Sequence, residues 1–155
     1  MKIELKQLTG YLPYGLKGNL ENLDYYDTVM NKELYRIETG KTENSKTYDV
    51  MVIVGDEEGN ISDFKPILRP LSDLTKEIEV NGNRFLPAEI LFSIDNSEID
   101  DFKLYGTMPN YWKDALKIKP RYYDFWQIQF LYEWHFDIHG LIEKGLAIDI
   151  NTIKP

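Results

Sequence analysis

Apolar and polar positions alternate over short runs in the first half of the chain and mass together in the second. Ile3 and Leu5 alternate with Glu4 and Lys6, a strand pattern broken at Tyr11-Leu12-Pro13-Tyr14-Gly15. Leu34-Tyr35-Arg36-Ile37-Glu38 predicts a further strand, ended by Gly40 and followed by a polar loop over 41–47. The clearest strand is Tyr48-Asp49-Val50-Met51-Val52-Ile53-Val54, whose β-branched residues become apolar on both faces and so belong at a sheet centre. Gly55-Asp56-Glu57-Glu58-Gly59-Asn60 reads as a turn, and Ile61 to Leu68 as the returning partner strand, its pairing limited by Pro66.

From residue 70 the pattern changes. Pro70 to Glu77 carries the marks of a short helix, with Ser72 able to cap and Asp73 suited to the positive dipole end. Ile78 to Phe85 predicts a hairpin, because Asn81-Gly82 accepts the positive φ angles of a type I′ turn. Pro87 to Phe92 predicts a helix with proline in the first turn, and Asn110 to Lys117 another. The stretch after Pro120 is the most apolar of the chain. Its length of some 17 residues exceeds a typical strand of about 5–6, which predicts a helix with Ile128, Leu131, Tyr132 and His135 inward and Phe130 and Trp134 beside them. Gly140 interrupts it, Leu141 to Lys144 form a turn closed by Gly145, and Leu146 to Ile150 read as a final strand.

These elements predict an α+β fold, with an antiparallel sheet mainly from the N-terminal half and helices mainly from the C-terminal half packed on it. At 155 residues one domain over 1–155 is the expectation. A composition of 43% apolar and 14% aromatic residues excludes a disordered chain. The absence of Cys excludes disulfides, thiolate ligands and a cysteine nucleophile, and fits a reducing compartment. No secretory signal is legible at Met1 to Gln7, and the uncharged stretch Phe125 to Tyr132 is far below the about 20 apolar residues of a membrane span. A cytoplasmic location without membrane insertion is expected.

The net charge of −8 repels nucleic acid on average, so a role there needs a segregated basic face. Lys113, Lys117, Lys119 and Arg121 beside Tyr111, Trp112, Tyr122 and Tyr123 are the one candidate. A solvated helix face with core aromatics explains them more simply, so nucleic acid is not the expected partner. Asp95 to Asp101 gathers four acids in seven residues but lacks the glycine and closing glutamate of a calcium loop.

Of the histidines, His135 and His139 lie four apart, with Glu143 four further on. A continuous helix would put all three on one face, a zinc-like spacing. Phe136 stands where a metalloprotease helix carries glutamate, so these are weak metal candidates and no cofactor is called for. Glu133 and Asp137 are one turn apart, whereas glycosidase carboxylates face each other across a cleft. Neither a nucleophile elbow nor a phosphate-binding glycine loop occurs, which leans against an enzyme. Tyr11, Tyr14, Tyr25, Tyr26, Tyr105, Tyr111 and Trp112 fall in or near loops, where they can anchor a protein partner or seal loops onto the core.

Four stretches carry a resemblance: Gly10 to Lys17, Ile67 to Ile78, Phe85-Leu86-Pro87, and Glu133 to Asp137 with Gly140 to Asn151. Together the chain resembles short uncharacterised proteins of phages, prophages and mobile elements of Bacteroides-type bacteria. The resemblance implies a bacterial cytoplasmic setting and transfers no functional residue. The expected function is a non-enzymatic phage- or mobile-element accessory protein that binds another protein. Two alternatives stand beside it: a cytoplasmic metal-dependent hydrolase using His135 and His139, and a nucleic-acid binder using Lys113 to Arg121.

Overall fold

The computed structural model describes residues 2–21, 28–41, 48–92 and 123–153. The fold is α+β, built on a mainly antiparallel six-stranded sheet from the N-terminal half with α-helices further along the chain. It divides into two compact units, one of Met1–Pro70 with Leu131–Pro155 and one of Leu71–Phe130.

In the first unit, β1 (Lys17–Glu21), β2 (Thr28–Lys41), β3 (Tyr48–Val54), β4 (Glu57–Asn60), β5 (Phe64–Leu68) and β8 (Ile148–Asp149) form the sheet in the order β4-β3-β2-β1-β5-β8. All pairs are antiparallel except β5 with β8. The strand predicted at 48–54 is present residue for residue, but it lies second from an edge, and β2 and β1 occupy the middle. Its partner is β4, which its polar residues had marked as a turn. Edge strands carry charge because one side of them meets water, so composition hides them.

Ile61–Asp63 is a 3₁₀ turn, capped by the Asn60 side chain, and β5 returns beside β1 rather than β3. In a flat sheet of this order β4 and β5 would stand four spacings apart, about 19 Å. A single 3₁₀ turn rising about 2 Å per residue cannot bridge that, so the sheet rolls up. Leu20 of β1 accordingly packs over Gly59 of β4, its Cδ1 being 2.7 Å from where a Cβ on that glycine would stand. Gly18 lies closer still under the Phe64 ring. The roll encloses a core of Leu8, Tyr11, Leu16, Leu20, Leu34, Val52, Val54, Phe64 and Leu68.

Two bulges bend β2. One falls between Gly18 and Leu20 of β1, where Asn31 takes φ 51° and its amide donates to Asn19 Oδ1 at 2.8 Å. The other sets Tyr35 between the pairs Leu34↔Val54 and Arg36↔Ile53. Before β1 the predicted strand at Ile3 and Leu5 is instead a 3₁₀ turn, Leu5–Gln7, because Gln7 Oε1 reaches back to accept from the Glu4 amide. A second 3₁₀ turn, Thr9–Tyr14, ends in left-handed Gly15.

In the second unit the 70–77 signal is a 3₁₀ turn, Leu71–Thr75, whose buried Asp73 meets the Lys76 ammonium. The hairpin is as predicted: β6 (Ile78–Val80) and β7 (Asn83–Phe85) flank Asn81 and Gly82, both at positive φ. Helix α1 covers the predicted Pro87–Phe92. Helix α2 (Phe125–Glu133) begins in this unit, and Gln127 Nε2 donates to the Leu91 carbonyl at 2.7 Å. Among the described residues no helix is long and apolar enough to cross a membrane.

Candidate functional site

Polar side chains concentrate in the first unit where the residues after α2 meet the 3₁₀ turn Thr9–Tyr14. The long helix predicted beyond Pro120 stops at Glu133. The Phe136 amide donates to the Leu131 carbonyl at 2.8 Å and the His135 amide to the Tyr132 carbonyl at 3.0 Å. That is a Schellman closure, which needs a left-handed residue at the position of His135. His135 has φ 57°. The same pattern recurs ten residues on, where Leu146 donates to Leu141 and Gly145 to Ile142. There the left-handed residue is glycine, at φ 70°. A histidine in that conformation costs about 1–3 kcal/mol that glycine would not.

The His135 ring is held from outside its own segment. Its Nε2 lies 2.9 Å from the Tyr14 carbonyl oxygen. A carbonyl only accepts, so Nε2 carries the proton and Nδ1 the lone pair. Burial pushes the His135 pKa below its ordinary value, the Tyr14 carbonyl opposes this, and the charges of Arg69 and Lys17 add to it. The imidazole is therefore neutral near pH 7.

Tyr11 is the centre of the cluster and is fully buried. Its hydroxyl donates to the Phe136 carbonyl at 2.7 Å. Burial drives its pKa far up, against the Ile138 backbone and with the Asp137 charge, so it stays protonated. The Tyr132 ring stands edge-on to it at 4.7 Å and covers Gly10, where a Cβ would strike the ring. His135 and His139 each lie 6.5 Å from the Tyr11 ring. The Tyr132 hydroxyl is 3.5 Å from His139 Nε2, at the outer limit of a hydrogen bond. Burial lowers the His139 pKa; Asp137 opposes this, and Lys144 and Lys6 reinforce it.

Asp137 is buried yet fully engaged: Oδ1 accepts from the Leu141 amide and Oδ2 from the Ile142 amide, each at 2.8 Å. It thereby organises the turn that leads to β8. Its own amide donates to the Arg69 carbonyl, and the Arg69 amide to the His135 carbonyl, both at 2.8 Å. This parallel bridge joins Arg69 to Phe136 just beyond the end of β5. The Arg69 guanidinium carbon sits 6.0 Å from the centre of the Phe136 ring.

The shared helix face proposed for His135, His139 and Glu143 does not exist, because the chain leaves the helix before the first of them. Glu143 is exposed, and among the described residues no three His, Cys, Asp or Glu side chains gather as a ligand set. Glu133 closes the helix while Asp137 lies past it, so they are not a pair across one turn. Lys113 to Arg121, the acidic run 95–101, the helix predicted at 110–117, and Tyr25, Tyr26, Tyr105, Tyr111 and Trp112 all lie outside the described residues. Tyr14 is half-buried.

Among the described residues the exposed large apolar side chains are Met30 and Tyr35 on β2, Ile90 on α1, Phe125 and Trp126 on α2, and Ile153. Sequence reasoning missed Met30 and Tyr35, since a bulge has no reliable signature beyond an asparagine such as Asn31 at the left-handed position.

No protein-family model, curated protein or solved structure matches the chain.

Proposed function

We propose that this chain is a non-enzymatic accessory protein of a phage or other bacterial mobile element, working in the cytoplasm by binding another protein. The observation that carries this reading is the side chain at each bulge of β2. Tyr35 is 74% exposed and Met30 66%, on a strand whose ladders to β1 and β3 hold the backbone firmly. A bulge re-aims side chains, and a rigid tyrosine in water is an inexpensive anchor for a partner surface. Phe125, 78% exposed at the start of α2, adds a second apolar position in the other unit.

The tyrosine and histidine cluster supports the same reading. Tyr11, His135 and Asp137 direct their polar atoms at backbone groups and hold the fold rather than face a substrate.

The test is a photo-crosslinking amino acid placed at Tyr35 in bacteria that carry the native gene set, with exposed Glu58 as control. One discrete protein adduct at position 35, absent at 58 and weakened severalfold by Met30→Ser, is the expected result. Equal labelling at both positions would refute the binding surface.

A further inference from the structure

We propose that the open edge of β2, from Tyr35 to Lys41, pairs antiparallel with the same edge of a second copy of this chain, with Glu38 on the twofold axis. β2 is paired on its two sides in succession. β1 runs beside it over Thr28–Glu33, and the Leu34 amide donates to the Leu16 carbonyl at 2.7 Å. There left-handed Gly15 turns the chain away. Beyond Leu34, β3 continues on the other side as far as Lys41, but among the described residues no strand lies on the β1 side. Tyr35, Arg36, Glu38, Thr39 and Gly40 are exposed, and Ile37 is half-buried. Such an edge presents backbone donors and acceptors to any strand that fits beside it.

The side chains of the edge select a copy of itself. One face carries Arg36, Glu38 and Gly40, the other Ile37 and Thr39. An axis at Glu38 sets Arg36 opposite Gly40 of the copy and Ile37 opposite its Thr39. Arg36 already meets Glu38 of its own chain at 2.7 Å. In this register it also lies diagonal to Glu38 of the copy, within reach of a long side chain. Two arginines and two glutamates then alternate around the axis, which offsets the approach of the two carboxylates. A Cβ on Gly40 would meet nothing within 4 Å, so the arginine opposite has room. On the other face Ile37 packs at the margin of the core, where a neighbouring strand covers it.

Other registers fit less well. A slip of one residue turns unlike faces together. A shift of two residues one way drives Gly40 of the copy into the place of Leu16, and the other way leaves Arg36 opposite no residue of β2. The pairing is isologous, so it closes at two copies. It uses the backbone edge and goes beyond the partner surface formed by Met30 and Tyr35.

The chain has no cysteine, so a single introduced one reports its own neighbour. Directly opposed residues of antiparallel strands have Cα atoms about 4.5–5.5 Å apart, within the disulfide range of about 4.4–6.8 Å. Under mild oxidation Glu38→Cys should form a covalent dimer severalfold faster than Thr39→Cys, which faces Ile37 of the copy, or Glu58→Cys on β4. In sedimentation velocity the wild-type chain should show a concentration-dependent dimer. Arg36→Glu, which gathers four carboxylates at the axis, should weaken it severalfold, and Arg36→Glu combined with Glu38→Arg should restore it. A monomer at every concentration, a dimer indifferent to Arg36→Glu, or crosslinking at 39 or 58 as fast as at 38 would overturn the pairing. The photo-crosslinking test at Tyr35 stands apart from this: an adduct of twice the chain's mass reports the copy, and any other mass reports a different partner.

Discussion

The strand meander β1–β5 and the segment after α2 belong to one compact unit and share its apolar core, yet their backbones are satisfied differently. The meander is joined strand to strand by continuous backbone ladders, and its inward side chains are buried leucines, valines and Phe64. The later segment contributes a two-residue strand and a single bridge; Tyr11 and Asp137 bond its backbone, His135 reaches out to the Tyr14 carbonyl, and Trp134, Phe136 and Leu141 are buried. Ladders are indifferent to pH, whereas side-chain ties can be cut one at a time. The meander is thus paired by its backbone, and the segment is joined to it by side-chain ties and by Leu141 in the shared core.

Tyr11 serves both regions, so its removal is the strongest way to break the distinction. Tyr11→Ala should cost about 3–5 kcal/mol, the range for deleting a buried aromatic ring. Tyr11→Phe keeps the ring and deletes only the bond to the Phe136 carbonyl, which still accepts from the Ile138 amide, for about 0.5–1.5 kcal/mol. Urea unfolding of the two variants separates packing from hydrogen bonding. A Phe variant as damaged as Ala would mean that the hydroxyl, and hence the attached segment, carries the load.

Gly18 probes the meander alone. A Cβ there meets the Phe64 ring and stands 2.7 Å from the Lys65 carbonyl oxygen, a backbone atom inside the β1–β5 ladder. Gly18→Ala should cost about 1–3 kcal/mol as overpacking. Gly59→Ala should cost less, since its obstacle is the movable end of Leu20. Thermal melts of the pair check the roll of the sheet, because in a flat sheet Leu20 could not reach Gly59.

What could be read from sequence follows the same division. Local signals held wherever one element decides its own shape: the β-branched run 48–54, the Asn81-Gly82 hairpin, Pro87 opening α1, and Gly145 ending a turn. They failed where a distant residue decides. The apolar run after Pro120 continues to Ile138 in sequence, but the helix ends at Glu133 and Arg69 pairs with the backbone at 135–137. Polar β4 is a strand only because β3 pairs with it. Tyr11 sits among turn residues in sequence and at the core in space. The shared helix face expected for His135, His139 and Glu143 failed for the same reason, since the helix ends at Glu133.

The smallest effect, and the sharpest, comes from the two Schellman closures that differ in one residue. At Gly145 the left-handed backbone is free of strain; at His135 it is not. His135→Ala keeps a Cβ in that conformation and loses the tie to Tyr14, so both terms are unfavourable. His135→Gly loses the same tie but relieves the backbone, which L-residues occupy at a cost of about 1–2 kcal/mol. The glycine variant should therefore be more stable than the alanine variant by about 1 kcal/mol, although glycine is ordinarily the worse residue by entropy. Urea midpoints at pH 7.5, where the wild-type ring is neutral, read the difference directly. Gly145→Ala should show the reverse case, a loss from strain with no tie involved. Equal stabilities for the alanine and glycine variants at 135 would mean that position relaxes its backbone when the ring is removed, and that the Tyr14 tie alone keeps histidine there.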